Sequence, residues 1–365
     1  MSEASNKKMT YVRLGNSGLK VSRIILGTMQ YGSSGWQEWV LGEEEAIKHI
    51  KHAYDAGIQT FDTANARLLH CAYSNGLSEV ILGNAIKKLN LPRDEIVIMT
   101  KLFAPVVPAP NQDLYFPAST LKPEDVGIIN QKGLSRKVRL TSLAFFHTYG
   151  LTFCVALDHI DVLQCHRFDN DTPIEETMQA LHDVVQAGYV RYIGMSSCWA
   201  WQFHAMQNYA INNKLTPFIS MQNHHSLLYR EEEREMFPTL RHDYLKLFGV
   251  GSIPWSPLAR GLLTRPFDAE SHRGKTDIFQ RSYVGPSNAA IINRVEEIAK
   301  KRGISMAQVA IAWSLGFPGI TAPIVGTTNL NNLKDIIDAV HIKLTEEETK
   351  YLEEAYIPQA VIGHA

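Results

Sequence analysis

Short apolar runs alternate with longer amphipathic segments along nearly the whole chain, and this alternation restricts the folds open to it. The runs at 24–29, 60–64, 96–102, 159–166, 190–196, 218–222, 249–255 and 320–325 read as strands. Helical patterns at 43–56, 77–89, 173–187, 199–212, 231–243, 288–302 and 306–315 lie between or after them. Strand–helix alternation implies parallel strands joined by crossover helices. The runs are rich in Val and Ile and do not alternate with polar residues, the pattern of strands buried on both faces. Thr172 before Pro173-Ile174-Glu175-Glu176 reads as an N-cap, with Pro in the first turn and acids beside the helix dipole. Eight such units predict an α/β protein of the (β/α)8 TIM-barrel class. Residues 11–14, 15–18 and 19–21 read as a small hairpin ahead of the first barrel strand. No long linker, low-complexity stretch or repeat divides the chain. A single domain over 1–365 is expected, with a barrel from about 10 to 345 and a tail over 346–365.

Composition narrows the function classes. Apolar residues at 45% and charged residues at 20% describe a globular protein with ample core. A formal charge of −1 gives no electrostatic reason to expect nucleic acid or an anionic membrane as partner. The four cysteines, Cys71, Cys154, Cys165 and Cys198, form no Cys-x-x-Cys pair, which favours reduced thiols over disulfides or zinc. The polar N-terminus has no signal-peptide pattern, so the cytoplasm is the expected location. No Gly-x-Gly-x-x-Gly follows a strand, so the fingerprint of an open dinucleotide-binding sheet is missing. No metal site is expected either: His224-His225 is the only adjacent histidine pair, and neighbouring residues seldom face one ligand.

Three ionisable residues fall at the C-terminal ends of successive strands: Asp62 on the second, Lys101 on the third and His166 on the fourth. Barrel active sites form at that face. Tyr73 stands between the first two in sequence, within Tyr73-Ser74-Asn75-Gly76. Each alone has an ordinary reading: a loop anchor, a solvated cation, a structural imidazole, half-buried loop packing. Their shared location carries more weight than any one of them.

An acid, a phenol, an amine and an imidazole in this order resemble the catalytic tetrad of the aldo-keto reductases. The likeness runs from Tyr11 to the tail. It is strongest to fungal reductases acting on aryl alcohols and aldehydes, and on polyketide intermediates such as versiconal hemiacetal acetate. The resemblance implies an NADP(H)-dependent oxidoreductase that reduces a small aldehyde or ketone to an alcohol, as in fungal secondary metabolism. It assigns Tyr73 as general acid, Lys101 and Asp62 as the pair that tunes it, and His166 as the group orienting the carbonyl. A phenol with a pKa near 10 is a poor acid at neutral pH unless an adjacent cation lowers that value.

The resemblance also implies a nicotinamide nucleotide site. Gly27, Thr28 and Met29 follow the first strand, and Asp62 is shared with the tetrad. Ser196 and Ser197 end the fifth strand and Gln222 the sixth, near the nicotinamide amide. Trp255, Ser256, Pro257, Leu258, Arg260 and Gly261 follow the seventh and resemble the loop over the pyrophosphate. Gly326, Thr327 and Thr328, with Asn332, match the adenosine-phosphate end, where N–H groups at a helix start can hold phosphate without a lysine. Gly326 and Asn332 replace the Lys and Arg that grip the 2′-phosphate in some members, which leaves NAD use open beside NADP.

Two segments depart from the family. Its Tyr follows the Asp by five residues, whereas Asp62 and Tyr73 are eleven apart, with 66–72 standing where one residue is expected. The second, 138–157, should be a charged amphipathic helix, yet residues 140–157 contain no Asp, Glu, Lys or Arg. Its His, Tyr, Gly and Thr content argues against a membrane span. Family-like sequence resumes abruptly at Tyr73 and His159, so both segments read as translated intron remnants. The altered spacing gives weight to an alternative: a cofactor-binding barrel with a regulatory role and little catalysis.

Overall fold

The computed structural model describes residues 9–64, 73–103, 130, 132–137, 157–241, 248–277, 279–280, 283 and 285–364. The two departing segments, apart from Leu157, lie outside the described residues, as do Cys71 and Cys154. The chain divides into two compact units, one mainly of residues 27–51 and 60–220, the other mainly of 1–26, 52–59 and 221–363.

In the first unit, β4 (Thr60–Asp62), β5 (Val97–Leu102), β6 (Ile160–Cys165) and β7 (Val190–Ser196) pair in parallel. Every residue of β4, β5 and β6 is buried, as the unbroken apolar runs require. Helices α2 (Leu77–Lys88), α3 (Ile174–Gln186) and α4 (Ala200–Asn212) follow β4, β6 and β7. The start of α3 differs from the expected cap. Pro173 occupies the N-cap position, and the Thr172 hydroxyl donates to Asp169 Oδ2 at 2.7 Å. Asp169 also accepts from the Leu134 and Asp171 N–H groups, so the loop after β6 is organised around this carboxylate.

In the second unit the expected hairpin is present: β1 (Tyr11–Arg13) pairs antiparallel with β2 (Lys20–Ser22). Here β10 (Ile324–Val325) pairs in parallel with Ile25 and Leu26 of β3 (Ile25–Gly27). Parallel bridges join Ser252 of β9 (Gly251–Ser252) to Ile320, and Trp255 to Ile324. Ile253 and Trp255 donate to the carbonyls of Met221 and Asn223, at and after the end of β8 (Phe218–Gln222). The strand order is β10-β3-β4-β5-β6-β7-β8-β9. Eight parallel strands with helices between them make the (β/α)8 fold.

The seventh and eighth strands are shorter than the apolar runs at 249–255 and 320–325. Pro254 and Pro323 lie within those runs and lack the N–H a continuous ladder needs. The helix expected over 231–243 is also broken. A single turn covers Glu231–Glu233, and the chain leaves helical geometry at Glu235 (φ −131°) before Met236–Leu240.

One ion pair fixes the lower ends of the two strands that lead to Lys101 and His166. Asp161 on β6 accepts from Arg93 Nη2 at 2.7 Å and from the Ile98 N–H of β5 at 2.8 Å. Arg93 also donates to the carbonyls of Ile96 and His159. Removing the carboxylate strands a buried N–H and a largely buried guanidinium. Asp161→Ala is therefore expected to destabilise the protein by about 2–4 kcal/mol, read as a lowered midpoint in urea unfolding with an unchanged slope.

Candidate active site

Lys101 is completely buried at the end of β5. An ammonium has three N–H donors and no acceptor, and each donor here has a partner. Nζ lies 2.5 Å from Asp62 Oδ2, 2.8 Å from the Thr63 carbonyl and 3.4 Å from Tyr73 Oη. Burial alone would lower the lysine pKa. The Asp62 carboxylate and the Tyr73 oxygen outweigh it, and the net shift is upward, so Lys101 stays charged. Since the lysine donates to Oη, the phenolic hydrogen is left to point away from it.

Asp62, 1% exposed, ends β4 and uses both oxygens. Oδ2 faces Lys101, and Oδ1 accepts from Gln164 Nε2 at 3.0 Å. His166 follows β6 directly, with its N–H bonded to the Leu102 carbonyl at 2.9 Å. Its ring is edge-on to Tyr73, centroids 6.3 Å apart. His166 keeps some exposed surface, yet the atoms packed around it, then the charges of Arg167 and Lys101, hold its pKa well below 6.5. The imidazole is therefore neutral at pH 7, with one ring N–H to donate.

Tyr73 thus stands beside Lys101 despite the long interval after Asp62, because the chain on its far side is anchored. Tyr73 (φ 39°) and Ser74 (φ 53°) both adopt left-handed backbone conformations, which side-chain-bearing residues seldom do. Ser74 packs so closely on Gly32 that a Cβ at position 32 would overlap its side chain. Four residues on, Ser78 contacts Thr28 Oγ1 at 2.7 Å and Thr63 Oγ1 at 3.1 Å, and donates to the Thr28 carbonyl at 2.8 Å. Glu79 is bonded to the Thr100 hydroxyl. Helix α2 is therefore pinned to the ends of β3, β4 and β5, and Tyr73 enters from its N-terminus.

The residues expected to hold a nucleotide fall in both units. Beside the tetrad, Gly27 is buried at the end of β3 and its carbonyl accepts from Gln30 Nε2 at 2.6 Å. The Thr28 side chain is committed to Ser78 and the Asp62 carbonyl, and Met29 is half-buried. Ser196, the last residue of β7, and Ser197 directly after it are buried, Ser197 with φ 31°. In the other unit, Gln222 is buried at the end of β8. The Trp255 ring stacks on His224 at 4.0 Å, while His225 bonds Glu233 instead. Ser256 (φ 54°), Arg260 (φ 55°) and Gly261 (φ 99°) make a strained loop around buried Pro257 and Leu258. Gly326 and Thr328 are half-buried, Thr327 is buried and Asn332 is exposed.

Two features of the phosphate-end residues differ from the sequence reading. At the last barrel helix, α9 (Leu330–Asp338; the ninth α-helix among the described residues), the Asn329 side chain already accepts from the Asn331 and Asn332 N–H groups at 2.8 and 3.2 Å. Those donors are free for phosphate only if Asn329 turns away. Arg260 is held by buried Asp277, which also takes Arg273 Nε at 2.9 Å. Asp277 and Arg273 were not singled out from sequence. Neither were Gly32, Ser78 or the role of Gln164, whose sequence signal is a polar residue inside an apolar strand run.

Residues 23–357 match the model of the Aldo/keto reductase family. The chain belongs to that family, and it is accordingly an oxidoreductase of the (β/α)8 type. It is 49% identical to versiconal hemiacetal acetate reductase of Aspergillus parasiticus over 97% of this chain and 98% of that protein. It is 48% identical to a Schizosaccharomyces pombe protein named provisionally as an aryl-alcohol dehydrogenase, over 97% of each. An Alternaria alternata aldo-keto reductase, AFTS1, is 44% identical over 98% of this chain and 94% of its own length.

Two outcomes follow from the geometry. In Gly32→Ala the new methyl should push Ser74 away and carry Tyr73 Oη beyond hydrogen-bond distance of Lys101, to be read from a crystal structure of the variant. The depressed His166 pKa has a definite sign in pH-dependent stability. An unfolded imidazole takes up a proton near pH 6.5 and the folded one resists, so stability present above that pH falls on acidification. Melting curves at pH 7.5 and 5.5 should show a smaller acid loss for His166→Asn than for the parent.

Proposed function

We propose that the protein is an NADP(H)-dependent carbonyl reductase, with Tyr73 as proton donor, Lys101 and Asp62 as its tuning pair and His166 as carbonyl orienter. Its substrate is a small aldehyde or ketone of aromatic or polyketide character, reduced in fungal secondary metabolism in the cytoplasm. The observation that carries the reading is the 3.4 Å separation of Tyr73 Oη from the buried Lys101 ammonium. In this reading the whole chain acts as one domain, with residues 346–365 as its tail.

The bound nicotinamide would supply the hydride. Every other step falls to the chain. Negative charge develops on the substrate oxygen as the carbon accepts the hydride. The neutral His166 ring offers that oxygen an N–H without an imidazolium charge that would need its own counter-ion. Tyr73 then passes its phenolic proton to the oxygen. The ammonium beside Oη favours the phenolate left behind by proton transfer. Asp62 keeps the lysine charged and aimed, and the deep burial of the pair limits screening of its field by water. The role calls for a charged lysine touching a phenol, and the contact of Lys101 with Tyr73 Oη supports it over a purely regulatory barrel.

Ser196 and Ser197, at and just after the end of β7, are buried hydroxyl residues that can donate to and accept from a carboxamide; Gln222, in the other unit, is a buried amide with the same capacity. The phosphate end carries less positive charge than a 2′-phosphate would favour, since Gly326 and Asn332 are uncharged. NADP is proposed on the habit of the family, with NADH as a working substitute.

Tyr73→Phe should lower turnover of aromatic aldehydes by at least about a hundredfold, the scale of general acid catalysis. Quenching of nicotinamide fluorescence on binding should persist. A variant as active as the parent would exclude the assigned acid, and binding without turnover in the parent would favour the regulatory alternative. Parallel kinetics with NADPH and NADH test the cofactor choice, with the lower KM expected for NADPH.

A further inference from the structure

Gln164 is the one amide in the fully buried strand β6, and the tetrad as described gives it no task. Its place in the sheet is specific. Gln164 is the register partner of Lys101 across β5 and β6, and of Gly194 across β6 and β7. In-register residues of neighbouring strands point to the same face, so the Gln164 and Lys101 side chains emerge side by side. Gly194 leaves the space that Gln164 fills: a Cβ there would lie 3.2 Å from Gln164 Cγ and would overlap Ser220 Oγ. The amide is 0% exposed, and its Nε2 donates to Asp62 Oδ1 at 3.0 Å. A carboxylate only accepts, so the bond fixes which end of the amide faces Asp62.

We infer that Gln164 is a positioning residue for the buried Asp62–Lys101 pair, holding one carboxylate oxygen so that the other stays on the ammonium. The inference deepens the carbonyl-reductase reading and rests on it for its effect on turnover. A carboxylate bound at one oxygen only can rotate about its bond to Cβ. Donors at both oxygens, Gln164 Nε2 at 3.0 Å and Lys101 Nζ at 2.5 Å, suppress that rotation. The lysine then holds its line to Tyr73 Oη. The same two bonds divide the load inside the barrel: the amide satisfies Oδ1 without adding charge, which a second lysine could not do beside Lys101. The Gln164–Asp62 contact therefore acts through the pair and does not need to touch substrate.

Two variants test this, each read in three ways. Gln164→Leu keeps volume and removes the donor. Its kcat should fall about ten- to a hundredfold, the scale of small misplacements in an active site, with the KM for NADPH little changed. Its Lys101 should titrate at lower pH than in the parent, followed by NMR of lysine labelled at Cε, because the carboxylate no longer stays against the ammonium. Gln164→Glu puts a second carboxyl beside Asp62, and two such groups share one proton at the lower end of the pH range. Protonated, the new side chain donates as the amide does. Its kcat should therefore recover toward the parental value as pH falls, while Gln164→Leu shows no recovery at any pH.

Parental kcat and parental Lys101 titration in folded Gln164→Leu would overturn the inference, as would identical pH profiles for the two variants. The NMR titration does not depend on turnover, so it decides the matter even if no carbonyl substrate is reduced. If the lysine shifts as expected while Tyr73→Phe stays fully active, the assignment of the acid has failed and the role of Gln164 has not.

Discussion

The buried ammonium of Lys101 is the constraint around which the site is arranged. A charge with no access to water is costly unless every donor is matched. Here the carboxylate of Asp62, the carbonyl of Thr63 and the oxygen of Tyr73 match all three. The requirement reaches outward from there. Asp62 needs a second donor, met by Gln164, and Gln164 needs the gap left by Gly194. Thr63 is steadied through Ser78, which also ties down Thr28. Residues from β3 to β7 thus share one electrostatic problem.

The position of Tyr73 is a packing result. A chain of eleven residues from Asp62 can reach many places, and loop closure entropy distinguishes weakly among them. The choice is made C-terminally, where α2 is bonded to three strand ends and Ser74 fits the space over Gly32. Two consecutive left-handed residues, Tyr73 and Ser74, are accepted in exchange. Comparable backbone strain recurs at Ser197 after β7 and at Ser256 and Arg260 after β9. Such conformations persist only where the surroundings over-determine them, and they gather where a fold holds functional groups in place.

Much of the architecture was legible in the chain. Continuous Val- and Ile-rich runs mark strands buried on both faces, and the bounds 190–196, 218–222 and 288–302 recur unchanged in the structure. Asp62, Lys101 and His166 were visible because each closes such a run. The misreadings have local causes. Pro254 and Pro323 interrupt ladders that their apolar neighbours suggested. Thr172 looked like a cap until Asp169, three residues earlier, claimed its hydroxyl. The α9 N-terminus looked open to phosphate because nothing in the sequence shows that Asn329 folds back on its own N–H groups.

Sequence by itself determined the eight strands, the order of the acid, phenol, amine and imidazole, and the strand ends at which the acid, amine and imidazole stand. These depend on apolar periodicity and on residue type at strand ends, both of which are local. Only the tertiary structure decided that Tyr73 reaches Lys101, that His166 is neutral, and that Gln164 holds the far side of Asp62. Those outcomes depend on distances between residues as many as 102 positions apart and on how far each is removed from solvent. Burial and register across neighbouring strands set both quantities, and neither is a property of any segment taken alone.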